Sequence, residues 1–338
     1  MPSSVSSGRN RRGFLFLACG VLIAAIAYTA GWFYLADKLE ARAKSDLAGL
    51  GAKGISANCE NLHISGYPFR IEIVCDSISW QRRNAGISFL AGRISSGSPV
   101  YAPRSLTNEI TGPAFIGIPG LLPLELRWDK LVTSSELIRP VPSRIFTTAK
   151  GLRVGVRTQT TSATPLAEIA DLQFEANGFD GPMQTLINFD GLKLSEAAIG
   201  DTALPALSGS ADIAFSDAPA LFRPRPGAIE ERLRGQSGEI RKATLSLPSG
   251  GSLTLSGPFS VDDEGVVSGT FRLSLTDPSA LAEAARTIFP DQERNISTVL
   301  FALSAMPKDE NGAPTITVNV KRGKATAGFI PLGTLPTL

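Results

Sequence analysis

The chain has 338 residues, of which 43% are hydrophobic and 19% charged, with a formal net charge of +2. Such a composition leaves ample apolar surface to bury and excludes a disordered chain. Its 33 glycines and 23 prolines exclude a helix bundle and suit many short strands and turns, and one His with three Cys excludes most metal sites.

The N-terminus carries Arg9, Arg11 and Arg12 and no acid, and Phe14 to Leu35 then runs without a charge. At 1.5 Å per residue this run spans about 33 Å, enough for a bilayer core of about 30 Å. Trp32 and Tyr34 stand at its far end, where aromatic side chains favour the membrane interface. Cationic residues ahead of the span predict a cytoplasmic N-terminus and an exported body. The expected organisation is a cytoplasmic N-terminus at 1–13, a single-pass inner-membrane anchor at 14–35, a helical linker at 36–53 and a periplasmic β-rich domain at 54–338. Two alternatives stand beside the anchor. Ala25-Ile26-Ala27 reads as a signal-peptide cleavage site, although the apolar run continues past it. Leu17-Ala18-Cys19-Gly20 reads as a lipobox, with Phe16 where such boxes want Leu.

Residues 1–44 hold six Lys/Arg and two acids, a balance of +4, so the remainder carries −2. The basic excess therefore belongs to the anchor. The exported body has no basic face suited to nucleic acid.

Cys59 and Cys75 flank a turn signal, Gly66-Tyr67-Pro68. Ile71, Ile73 and Cys75 alternate with Arg70, Glu72 and Val74, as in a strand. A hairpin centred on Tyr67 predicts that the two cysteines face each other within disulfide reach. Tyr67 and Phe69 are expected to pack on the core, an exposed contact surface being the alternative. With its SGYPFR centre, this segment resembles the uncharacterised bacterial family called domain of unknown function 2125. Val100-Tyr101-Ala102-Pro103, Thr111-Gly112-Pro113 and the Gly-rich stretch Gly323 to Leu332 are also similar. The resemblance implies one membrane span ahead of the signature turn Gly66, Tyr67, Pro68, Phe69, Arg70. It carries no established activity and so no catalytic residues.

Strands are predicted at 87–94, 122–137 (one or two strands), 152–158, 169–176, 186–194 and 211–216, with a bulge or turn at Asp190-Gly191. The strongest pattern lies at 238–276. There Ala243, Leu245, Leu247, Leu253, Leu255, Phe271, Leu273 and Leu275 alternate with Ser, Thr and Arg272, predicting a three-stranded meander with one apolar face. Asp277-Pro278 starts a helix ending before Pro290, and a second helix is predicted around 295–305. Final strands are expected at 315–320 and 325–330. Short helices are expected at 217–221 and 228–234, on either side of Arg223-Pro224-Arg225-Pro226. The Leu-x-Leu-x-Gly strand, Gly turn, Gly-x-Phe-x-Leu strand and following helix are similar in pattern to AsmA-type envelope proteins.

The predicted fold class is mainly β: an elongated antiparallel sheet, sandwich or open half-barrel, with an N-terminal transmembrane helix and two short C-terminal helices. No catalytic residue, cofactor or metal is assigned. His63 reads as a strand histidine, Asp262-Asp263-Glu264 as a turn, and Arg139 to Arg144 as a loop with two cations. The expected function is a non-enzymatic membrane-anchored envelope protein whose apolar groove takes lipid, with Leu253, Leu255, Phe271 and Leu273 facing it. A tethered structural or interaction module and an unidentified hydrolase are the alternatives.

Overall fold

The computed structural model describes residues 8–51, 54–82, 86–119, 122–138, 141–157, 163–200, 204–222, 233–288, 293–304, 306–309 and 312–338. Helix α1 runs Gly8–Leu50 without interruption and contains a stretch long and apolar enough to cross a membrane, whose most apolar part is not buried against the rest of the chain. Beyond Leu35 the helix is held by Ala content and by i,i+4 ion pairs, Glu40–Lys44 at 2.6 Å and Arg42–Asp46 at 3.2 Å.

The body begins with ten strands that form five broken pairs. These are β1 (Ile55–Glu60) with β2 (His63–Ser65), β3 (Arg70–Cys75) with β4 (Ser77–Arg82), β5 (Ile87–Ala91) with β6 (Ile94–Pro99), β7 (Ser105–Ile110) with β8 (Ala114–Gly117), and β9 (Leu124–Arg127) with β10 (Lys130–Ile138). β11 (Val141–Val156) pairs with β10 along one part of its length and with β9 along another. Each broken pair is thus one long strand with an interruption. The interruptions, at residues 61–62, 76, 92–93, 111–113 and 128–129, line up as a crease that ends at Gly151. Gly151 has φ +59°, a left-handed conformation that favours glycine, and a Cβ there would also displace the Asp129 carboxylate. Small residues line the crease: Ala91, Ala114 and Ala149 are all buried. The Trp128 indole N–H spans it by donating to Ile110 O at 2.7 Å.

The sheet continues through β12 (Thr164–Asn177) and β13 (Met183–Leu194), then α2 (Glu196–Ile199), β14 (Leu207–Phe215) and α3 (Ala218–Phe222). β15 (Ser237–Ser246), β16 (Ser252–Val261) and β17 (Val267–Thr276) follow, then α4 (Pro278–Ile288) and α5 (Glu293–Ser304). β18 (Thr315–Lys321), β19 (Lys324–Ala327) and β20 (Ile330–Thr334) complete it. Every pairing is antiparallel and all the strands belong to one open sheet.

The predicted meander is β15–β16–β17. The bulge at Gly191 is present, with φ +65° and a register shift between Phe189 and Leu192. Asp277 caps α4 through Oδ1, which accepts from Ala280 N at 3.1 Å. Several expectations are corrected. Of the predicted loop 139–144, residues 139–140 lie outside the described residues and 141–144 are strand, so β11 is more than twice the predicted length. The predicted strand 87–94 is split at the crease, and 325–330 is split by the Gly328 turn. Residues 94–117 hold three strands that alternation did not indicate, because Ser, Gly, Thr and Asn fill the faces of β6 and β7 and β8 is only four residues long. Arg223 to Pro226 and most of 228–234 lie outside the described residues.

Burial is sparse for a chain of this length. The accessible surface is 21,874 Å², against about 13,000 Å² for a compact monomer of the same mass. The exposed α1 supplies part of the excess, and the single-layer sheet supplies much of the rest. The main buried cluster, Ala176, Phe179, Met183 and Ala218, sits at one end of β12 to β14.

Candidate functional site: an open apolar face and a docked anchor

Side chains directly opposite each other on neighbouring antiparallel strands share a face. One register row therefore carries Ala149, Leu172, Phe189, Gly209, Leu245, Leu253 and Leu275 across the sheet. The next row on that face carries Phe174, Ile187, Ala211, Ala243, Leu255, Leu273 and Ile316. Phe271, opposite Val318, lies on it too. The four residues predicted to face a groove, Leu253, Leu255, Phe271 and Leu273, thus stand together. Phe271 is buried, whereas Leu253, Leu255 and Leu273 are only half-buried and Leu245 is 40% exposed. Phe174, Ile187 and Phe189 are half-buried as well. In a closed sandwich all of these would be covered. Among the described residues no second sheet lies over them. α4 and α5 pack mainly on each other, and α4 lines a cavity with Leu204, Pro205 and Pro248 at the ends of the strands.

The opposite face is polar over the same strands. Gln173, Asn188, Ser210, Thr244, Thr254, Ser274 and Thr315 form its central row. Hydroxyl contacts join Thr244 to Thr254 at 3.2 Å and Ser274 to Thr315 at 3.3 Å. Ion pairs on this face include Lys150–Asp171 and Arg241–Asp212, both at 3.8 Å. Such a surface is stable in water, so the two faces have different solvent requirements.

Towards the N-terminal strands the apolar face acquires a polar island. Ser96, Asn108, Thr133 and Thr147 occupy consecutive positions of the row that ends at Leu273 and Ile316. The Thr133 and Thr147 hydroxyls are 3.0 Å apart. Sequence reasoning missed this island, because it arises only when four separate strands come into register.

The Cys59–Cys75 disulfide is present, with Cα atoms 5.3 Å apart. Its placement corrects the symmetric-hairpin argument. The observed register pairs His63 with Val74 and Ser65 with Glu72, so Cys59 stands opposite Ile78 rather than Cys75. The bond instead bridges the crease. Asn61, with φ +50°, and Asp76 break the two strands there. Asn61 Nδ2 donates to Asp76 Oδ2 at 2.8 Å, and Asp76 N donates to Glu60 O at 2.9 Å. The disulfide therefore staples the bend at its first strand. Cys19 is free and exposed on α1.

The signature turn docks on α1. Trp32 is 6% exposed, and its indole N–H donates to Arg70 O at 3.1 Å. The Tyr28 hydroxyl donates to Pro68 O, and the Thr29 and Tyr67 hydroxyls are 2.8 Å apart. The Tyr67 ring stacks on Phe33 at 5.6 Å and meets Trp32 edge-on at 5.4 Å. Arg70 is paired with Glu72. Gly66 has φ +101°, and a Cβ there would meet Arg70 O at 2.9 Å. The expectation that the turn's aromatics pack on the body's core is corrected. Tyr67 packs on α1 and Phe69 is 70% exposed. The physical reason is the nearness of α1, whose Trp32 and Phe33 rings supply the apolar contact for Tyr67.

Beside the turn, the loop Tyr101–Ser105 and the polar-face residues Ser134, Glu136, Arg144 and Phe146 enclose a cavity of about 550 Å³. Arg144 makes a two-pronged pair with Glu175, at 2.8 and 2.9 Å. That hydrogen bond and charge raise its pKa above the usual arginine value, so it remains cationic. His63 is exposed, with Nδ1 2.7 Å from Asn61 O. Asp262 Oδ1 accepts from Glu264 N at 3.0 Å and Val266 N at 2.8 Å, which makes the acidic cluster a turn clasp. Among the described residues no group of three or more His, Cys, Asp or Glu is placed to hold a metal.

No curated protein and no solved structure matches the chain. Residues 32–336 match the model of a family described as an uncharacterized protein conserved in bacteria, domain of unknown function 2125. The match starts at Trp32, the residue that docks the helix on the signature turn, and runs through the last strand. The chain is a member of that family.

Proposed function

We propose that this is a non-enzymatic envelope protein, anchored in the inner membrane by α1, whose periplasmic sheet holds lipid acyl chains on its apolar face. The observation that carries the reading is the half-exposed row Phe174, Ile187, Leu255, Leu273 and Ile316, uncovered among the described residues. Leaving apolar surface in water costs about 25 cal/mol per Å², so a wide open face of this kind calls for an apolar occupant. A chain tethered to a bilayer meets acyl chains first. The Arg-flanked N-terminus supports a cytoplasmic start and a periplasmic body.

Native mass spectrometry of the full chain, released gently from membranes, tests the proposal. Bound lipid is expected on the wild type and loss of it on a folded Leu255→Glu variant. A lipid-free wild type would contradict it. That result would favour the tethered interaction module, for which β20 supplies a specific observation. Its five residues are all exposed at the sheet edge, next to a fully exposed Phe329.

A further inference from the structure

The clasp between α1 and the signature turn also fixes how deep the turn sits, if α1 spans the bilayer as proposed above. Trp32 stands at the end of the uncharged run, where an indole favours the interface. Tyr28 and Thr29 lie a turn earlier, about 5 Å closer to the bilayer centre at 1.5 Å per residue. Tyr67 and Pro68 hydrogen-bond to those two residues, while the Tyr67 ring packs on Trp32 and Phe33. The tip of the turn is therefore level with the last membrane-embedded turn of the helix.

The tip is also built for that place. Gly66 to Phe69 and Val100 to Pro103 contain no charge. Phe69 is 70% exposed and Tyr101 84%, and Val100 N donates to Phe69 O at 2.9 Å, which holds the two segments side by side. Main-chain polar groups in lipid must be satisfied internally. Here Pro68 O accepts from Tyr28, Arg70 O from Trp32, and Gly66 O from Arg70 N at 2.8 Å. Pro99 O accepts from Ala102 N at 3.0 Å, and prolines at 68, 99 and 103 remove three N–H donors. Arg104 follows the loop, exposed, within reach of lipid phosphates.

We propose that Tyr67, Phe69 and Tyr101 form a wedge inserted in the outer leaflet of the bilayer that α1 crosses, so that this end of the sheet rests on the membrane surface. The wedge does not depend on whether the apolar face carries lipid.

The test uses the full chain in phosphatidylcholine–phosphatidylglycerol vesicles with Cys19→Ser and the native disulfide intact. A nitroxide is placed at Phe69→Cys or Tyr101→Cys, with references at Leu22→Cys in the span and Ser249→Cys in a distal hairpin. Electron paramagnetic resonance then compares relaxation by oxygen, which partitions into lipid, with relaxation by an aqueous nickel chelate. The oxygen-to-nickel ratio at 69 and 101 is expected to be several-fold above that at 249 and below that at 22. A ratio at 69 and 101 equal to that at 249, with 22 protected, overturns the wedge alone. Nickel access at 22 overturns the anchor reading and the wedge together. Protection of 69 and 101 from both reagents means a protein partner covers the tip, and also overturns the wedge.

Discussion

Between Ile55 and Val156 the strands are broken along a crease, stapled by Cys59–Cys75 and clasped to α1. Between Thr164 and Lys321 longer strands shift register only locally and carry one continuous apolar face. Both regions use the same antiparallel ladder. They differ in what crosses it: covalent and helix contacts in the first, Leu, Ile and Phe rows in the second. The first region thus behaves as a mount that fixes the sheet to α1. The second presents the surface on which the proposed function depends. One sheet can do both because the crease is confined to the first region, where small residues such as Ala91 and Ala114 let the sheet bend.

Breaking the staple should have the largest effect. A Cys59→Ser/Cys75→Ser double variant opens a loop of about 15 residues and should lose about 3 kcal/mol in urea unfolding. Hydrogen exchange should place the loss in β1 to β4 and leave β15 to β17 protected. Equal loss of protection in both regions would merge the mount with the rest of the sheet.

Next in size is the clasp. Trp32→Ala removes two ring contacts and the bond to Arg70 O. Undocking should cost about 2 kcal/mol, roughly thirtyfold in exchange rate at the Arg70 amide. Unchanged exchange there would mean that the turn holds its shape without the helix.

The smallest effect belongs to the open face. Leu255→Ser, at a half-buried site, should cost about 1 kcal/mol or less, against about 2–5 kcal/mol for a large-to-small change in a closed core. Thermal unfolding of the purified chain reads this directly. A loss in the larger range would mean that the face is covered in solution.

Much of this was legible in the residues. Leu253, Leu255, Phe271 and Leu273 declared their shared face through strict alternation with Thr254, Ser256, Arg272 and Ser274. Asp190-Gly191 announced its bulge, and Asp277-Pro278 its helix start. The mount was less legible. Alternation is weak in β6 and β7, where Ser95, Ser96, Gly97 and Thr107 fill both faces and leave no period to read. The crease depends on breaks at Asn61, Asp76, Gly112 and Gly151 lining up across successive strands from distant parts of the chain. The docking of Tyr67 on Phe33 joins residues 34 apart in sequence, and no local pattern foretells such a contact. The disulfide was found by the right cysteines and the wrong register, since the crease supplies the approach that symmetry about Tyr67 was expected to supply.

The central claim is that the apolar face meets lipid while the polar face meets water. Photo-crosslinking with benzoylphenylalanine in intact membranes tests it at neighbouring positions of the same strands. Probes at Leu255 and Leu273 should form phospholipid adducts, and probes at Thr254 and Ser274 should not. Adducts on both faces alike, or on neither, would contradict the account.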